Sequence, residues 1–308
     1  MNRIRATVSN GIRVFRDPGS KRFIEELKQC LTIPNPDTAQ ARKAGGDASS
    51  VPPMVHLYKE EEEFIEVPRG SVNLIQSIAK KKDFNVSWRS CVTSRNPIRN
   101  RISSLPLQLR SYQKDAVHSM LMGVQGYIKA PCGAGKTVIG ASAIFCCGEP
   151  AIVLVHTHDL LNQWVSLFKS WDMRVRVISG GSSNMVKKPL KIINGIGEVA
   201  VCTVQTLKKK EAEALPLLES AGAILLDEAH HAPAGTFRSL IEQCSARYRW
   251  GVTATPNRED GWDILLPLVI GPQLWSISMS QLVKAGWLMM PKVMPVLSGA
   301  SLLPEHYI

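Results

Sequence analysis

The spacing of apolar residues changes along this chain, and each change marks an element. Ile4, Ala6 and Val8 alternate with polar residues, Asn10-Gly11 interrupts them, and Ile12 and Val14 resume the alternation. A period of two on both sides of such a dipeptide predicts a β-hairpin. The spacing then lengthens to a helical one, with Phe23, Ile24, Leu27 and Leu31 on one face behind Ser20, a candidate cap. Thr32 to Pro36 stops that helix, and Gln40 to Pro53, rich in Gly, Ala and Ser, reads as loop. Val55 and Leu57, then Phe64 to Val67, predict strands on either side of the acidic turn Glu60 to Glu63. A second helix, capped by Ser71, buries Leu74, Ile75, Ile78 and Ala79 and ends in Lys80-Lys81-Lys82, whose charge suits a helix C-terminus.

Further along, apolar strands alternate with helix-spaced segments. Ala151 to Val155, Val175 to Ile178, Val199 to Thr203, Ala223 to Asp227 and Tyr248 to Thr255 read as strands, while Val138 to Phe145 and the set Leu160, Leu161, Trp164, Leu167 and Phe168 read as helices. This order predicts a parallel α/β sheet. We expect a small α/β module over residues 1–95, a basic linker over 96–104 containing Arg99 and Arg101, and the larger lobe over 105–294.

Two stretches carry the chemistry. Tyr127 to Gly140 brings a short apolar run into a tight loop, Ala130-Pro131-Cys132-Gly133-Ala134-Gly135-Lys136-Thr137, and then into a helix. Glycines let the loop curl so that its N–H groups face an anion, the helix start adds a positive dipole end, and Lys136 adds a full charge. That is a phosphate cradle, with Thr137 placed to hold Mg²⁺ through its hydroxyl. The usual pattern opens with glycine where Ala130 stands. The second stretch, Ala223 to His231, ends an apolar strand in the adjacent carboxylates Asp227 and Glu228, where a parallel sheet presents its ligand chemistry. Asp227 is the candidate Mg²⁺ ligand and Glu228 the candidate base for an attacking water.

Together, Ala130 to Thr137, Asp227-Glu-Ala-His230 and Thr253-Ala-Thr255 resemble the first motor lobe of a superfamily 2 DEAD/DEAH-type helicase or translocase. The resemblance implies a RecA-like P-loop NTPase lobe, a central parallel sheet flanked by helices, that binds ATP and Mg²⁺ and acts on DNA. It covers Leu105 to Met294. It implies that Gln113, with Arg110 beside it, reads adenine, that His230 acts with the catalytic residues, and that Thr253, Ala254 and Thr255 couple the nucleotide to the nucleic acid. Backbone contacts to nucleic acid fall on Thr157, where His156 and His158 replace the family's usual neighbours, and on Gly180, Gly181, Gln205 and Thr206. Such contacts grip phosphates without reading bases, which suits sequence-independent movement. Arg258-Glu259-Asp260 and His231 are similar to the XPB-type DNA translocases, which points to duplex DNA. In this family a second RecA-like lobe supplies arginine fingers; residues 295–308 are expected to start the connection to it, and without it the chain is expected to bind ATP far better than it hydrolyses it. The alternative is an ATP-gated DNA-binding subunit without motor activity.

Charge supports a polyanionic partner, with 37 Lys plus Arg against 26 Asp plus Glu and a net +11. Lys80 to Lys82 with Arg89, and Lys208 to Lys210, are candidates for electrostatic grip, or else solvated faces. The seven cysteines form no Cys-x-x-Cys pair, so reduced thiols are expected, and His156 with His158 lacks a third metal ligand nearby. With no apolar run of bilayer length and no secretion signal, a cytoplasmic protein away from membranes is expected.

Overall fold

The computed structural model describes residues 2–38, 51–92, 104–180, 186–193, 196–232, 235–257 and 260–289. Two sheets organise them. The N-terminal sheet has the order β5-β6-β2-β1-β7, built from β1 (Asn2–Val8), β2 (Gly11–Phe15), β5 (Lys59–Glu60), β6 (Phe64–Pro68) and β7 (Phe84–Ser90). β1 and β2 form the antiparallel hairpin, with Thr7 opposite Arg13. Helices α1 (Lys21–Cys30) and α2 (Val72–Lys81) bury Phe23, Ile24, Leu27, Ile75 and Ile78. Between them, β3 (Thr32–Pro34) pairs with β4 (Met54–His56).

Three local expectations are corrected. Ser20 stands before α1, but its backbone is already helical (φ −73°, ψ −13°), so its hydroxyl caps nothing. Ser71 precedes α2 in a buried 3₁₀ turn and likewise makes no side-chain cap. β7 is not among the strands expected from sequence, although Phe84, Val86 and Trp88 alternate. It pairs parallel with β1, matching Ile4 to Val86, and so depends on a partner some eighty positions away.

The larger sheet is parallel throughout, in the order β10-β13-β9-β14-β15-β8-β16. Its strands are β8 (Gln125–Lys129), β9 (Ala151–Val155), β10 (Val175–Ile178), β13 (Val199–Thr203), β14 (Ala223–Asp227), β15 (Tyr248–Thr253) and β16 (Gln273–Ser276). A small hairpin, β11 (Ile192–Ile193) with β12 (Ile196–Gly197), interrupts the alternation. Every residue of β9, β13, β14 and β15 is buried, because helices cover both faces. On one face α3 (Ser111–Gly123), α4 (Lys136–Cys147) and α5 (His158–Ser170) pack on Val153, Val201, Leu225 and Trp250. On the other, α6 (Val204–Lys209), α7 (Leu215–Ser220), α8 (Gly235–Glu242) and α9 (Leu266–Val269) meet Ile152, Leu154, Cys202 and Leu226. That second apolar cluster is continuous with the core of the N-terminal sheet. A last helix, α10 (Met279–Lys284), closes the described chain. No described helix is long and apolar enough to cross a membrane.

Candidate functional site

The glycine-bearing loop leaves β8 at Lys129 and reaches α4 at Lys136. Gly133 and Gly135 hold φ values of +81° and +76°, a region that a β-carbon resists. A β-carbon on Gly135 would also sit 2.7 Å from Gln113 Nε2. Ala130, which replaces the usual opening glycine, is fully buried, and its N–H donates to the Thr253 carbonyl at 3.0 Å. This anchors the root of the loop to the end of β15. The first turn of α4 carries no acidic side chain, so its free N–H groups and Lys136 keep their positive potential. Cys132 is exposed on the loop.

Only β15 separates β8 from β14 in the sheet, so the end of β14 lies across from the loop. Asp227 is 2% exposed there, and Glu228 follows with φ +49°. Lys136 Nζ stands 4.0 Å from Glu228 Oε1. Two donors fix the Asp227 carboxylate: Trp164 Nε1–H donates to Oδ2 at 2.7 Å and the Glu228 N–H to Oδ1 at 2.9 Å. Burial raises the Asp227 pKa above the ordinary carboxylate value, while the Trp164 bond and the Lys136 charge pull it back down. Trp164 is itself fully buried on α5, where its ring would collide with a β-carbon on Gly140 of α4.

His230 joins this centre to the end of β15. Its Nδ1 lies 3.1 Å from Thr253 Oγ1 and 3.6 Å from Glu228 Oε2. Thr253 Oγ1 in turn accepts the Thr255 N–H at 3.2 Å, with Ala254 between them. Next to it, the His231 ring lies 4.2 Å from His230 and 4.8 Å from His156, centroid to centroid. A row of imidazoles thus runs from β14 to the end of β9. The pattern His-Thr-His beside His-His is visible in the chain, but only the sheet order shows which rings meet.

Gln113 occupies the first turn of α3, 6% exposed. Its Oε1 accepts the Arg110 N–H at 3.0 Å and its Nε2–H donates to the Ala134 carbonyl at 3.3 Å, so both ends of the amide brace the loop. Tyr112 O–H donates to the same carbonyl at 3.0 Å. Its ring stacks on Trp275 and meets Trp287 edge-on, and the Arg110 guanidinium lies over Trp287 at 4.9 Å. Sequence reasoning missed this aromatic bracket. Its members are more than a hundred residues apart and only the Leu-Arg-x-Tyr-Gln segment signalled it.

The remaining candidates gather at the C-terminal ends of β9, β10 and β13. Thr157 caps α5, its Oγ1 accepting the Leu160 N–H at 3.3 Å. The Gly180 N–H donates to Thr206 Oγ1 at 3.1 Å, Thr203 Oγ1–H donates to the same oxygen, and Gln205 Nε2–H donates to the His156 carbonyl. Gly181 and Arg258 lie outside the described residues, as does the basic stretch around Arg99 and Arg101. Lys208 is held by Glu211 and Ser239, while Lys81 and Lys82 share the one carboxylate of Glu26 and so keep a net positive charge between them.

Residues 106–258 match the family model described as "Type III restriction enzyme, res subunit". The chain is 30% identical over 191 residues to the DNA 3'-5' translocase XPB2 of Sulfurisphaera tokodaii, covering 59% of this chain and 40% of that protein. It is 32% identical over 186 residues to the DNA 3'-5' helicase XPB of Mycobacterium tuberculosis, covering 59% and 32%. With the XPB helicase/translocase subunit of the general transcription and DNA repair factor IIH of Drosophila melanogaster it shares 27% identity over 282 residues, covering 83% and 35%. It spans two-fifths or less of these relatives. The crystal structure of the UvsW helicase from bacteriophage T4 superposes with a TM-score of 0.64 at 17% identity, over 89% of this chain and 100% of that one, and so shares the fold.

Proposed function

We propose, for a chain that belongs to the XPB-like group of superfamily 2 DNA helicases and translocases, that it forms the ATP-binding lobe of a DNA motor. The observation that carries this reading is the approach of Lys136 to Glu228, 4.0 Å apart, beside the buried Asp227. An ammonium, a hydroxyl at Thr137, a helix N-terminus and two carboxylates make a donor set suited to a triphosphate and a hard divalent cation.

Pro131 to Gly135 would wrap the phosphates with backbone N–H groups, and Lys136 would meet the terminal ones. Thr137 and Asp227 would hold Mg²⁺, which neutralises charge as the terminal phosphoryl group leaves. Glu228 orients the attacking water and accepts its proton. His230, bonded to Thr253 and facing Glu228, would pass the state of the nucleotide to the ends of β9, β10 and β13. There Thr157, Gly180, Gln205 and Thr206 would grip a duplex DNA backbone, with Gly181 and Arg258 as further candidate contacts. Gln113 and Arg110 would border the adenine, with the Gln113 amide exchanging its loop contacts for the base. Hydrolysis and movement on DNA belong to the whole enzyme, with a second RecA-like lobe as partner.

Titration of the purified chain with a fluorescent ATP analogue and Mg²⁺ tests the reading. Saturable binding is expected, weakened at least tenfold by Lys136→Ala, about 1.4 kcal/mol. Equal affinity in the parent and Lys136→Ala would remove the loop from the site.

A further inference from the structure

At the N-terminal ends of the parallel strands, away from the glycine loop, β8 and β15 begin beside the N-terminal sheet, and a cleft of about 550 Å³ opens there. Arg69, Arg89 and Arg247 line it together with Gln76, Gln125 and Trp88, and none of the described lining residues is acidic. Trp88 is 36% exposed on β7, an edge strand. Trp88 and Arg89 follow one another on that strand and so flank its open edge from opposite faces, while the Arg247 guanidinium lies over the Tyr248 ring at 5.7 Å. A half-open indole with cationic side chains around it suits an occupant that is both flat and anionic.

The floor of the cleft sharpens this requirement. Arg69 is only 3% exposed, its guanidinium donates to the Ala246 and Arg247 carbonyls, and its Nε has no partner among the described residues. Behind it Arg249, 1% exposed, donates to the carbonyls of Asn10, Ile241, Cys244 and Val269. Buried charges are ordinarily paired with an opposite charge. Their hydrogen bonds go to neutral carbonyls, with the Glu242 carboxylate reaching Arg249 only through space, and burial pushes Arg69 down to about 9, with repulsion from Arg249 adding to the shift. The interior below the cleft therefore holds positive charge that an anion at its mouth would offset.

We propose that this cleft binds one nucleotide unit of a single nucleic-acid strand, with its phosphate on Arg89 and Arg247 and its base against Trp88. Guanidinium forks match phosphate oxygens, and an aromatic face accepts any base. An acidic peptide would answer the charge but leave the indole without a flat partner. The proposal does not rest on the ATP reading, because the five residues of β8 put roughly 17 Å between cleft and loop.

The test uses the whole chain and a fluorescein-labelled oligothymidine, followed by anisotropy across a salt series. Arg89→Glu should weaken binding roughly tenfold and lower the log–log salt slope by about 0.7 for each phosphate no longer neutralised. Trp88→Ala should weaken the base-bearing strand by roughly 5- to 160-fold while leaving an abasic strand of equal length unchanged. Both side chains are exposed, so the melting temperature serves as the control, and affinity for a fluorescent ATP analogue should not change in either variant. The proposal is overturned if both variants bind the strand like the parent, or if AMP or an oligo-aspartate peptide competes as well as the strand does.

Discussion

Replacing Trp164 by Phe keeps most of the ring in the core and removes one donor, which isolates the bond to Asp227. That bond is 2.7 Å long, and both residues are buried. A hydrogen bond to a charged group contributes about 1.5 to 3 kcal/mol, and loss of the larger ring adds a packing term. We expect Trp164→Phe to destabilise the chain by about 3 kcal/mol in urea unfolding. A double-mutant cycle with Asp227→Ala, which leaves the indole N–H no side-chain acceptor at this position, separates the two contributions, since the packing term appears in both backgrounds and cancels. The coupling should be about 1.5 to 3 kcal/mol at neutral pH. A coupling below about 0.5 kcal/mol would refute the reasoning and leave Trp164 as packing alone.

The same carboxylate governs one pH dependence. The Asp227 pKa is raised in the fold by burial, so between its ordinary value and its folded value the native state holds more protons than the unfolded chain, and stability from this group falls as pH rises through that window. Asp227→Asn should flatten this slope in the metal-free chain, measured as melting temperature against pH. Glu228→Gln should retain ATP-analogue binding and abolish turnover in the complete two-lobe enzyme; loss of binding would mean the residue has another role. Thr253→Val removes the His230 partner and should leave nucleotide affinity within about twofold while reducing the effect of nucleotide on DNA affinity, read by anisotropy with and without the ATP analogue. Gly135→Ala places a β-carbon at φ +76° against Gln113 and should destabilise the chain by more than about 1 kcal/mol, seen in urea unfolding.

Much of the architecture was legible because local pattern and tertiary role agree. The fully buried runs of β9, β13 and β14 are apolar in the chain up to the polar residues that end β13 and β14, and the loop before Lys136 announces its turn with two glycines. What sequence could not supply was pairing between distant segments. β7 exists because β1 offers it an edge, and Trp164 matters because α5 crosses behind the end of β14. Ser20 and Ser71 looked like caps by type and position, yet the backbone of Ser20 is already helical and Ser71 lies buried in a 3₁₀ turn. Gln113 shows the same limit, since its place before the loop was readable but its bonds to Arg110 and Ala134 were not.

The central claim is that Lys136, Thr137, Asp227 and Glu228 surround one metal-bound triphosphate. Pulsed EPR of the chain with Mn²⁺ and a non-hydrolysable ATP analogue, after the unbound metal–nucleotide complex has been removed by desalting, tests this directly, because the coupling between Mn²⁺ and ³¹P then comes only from metal and phosphate retained together on the protein. The account predicts that coupling in the parent chain and its loss in both Lys136→Ala and Asp227→Asn. Coupling that survives both substitutions would place the nucleotide elsewhere and contradict the account.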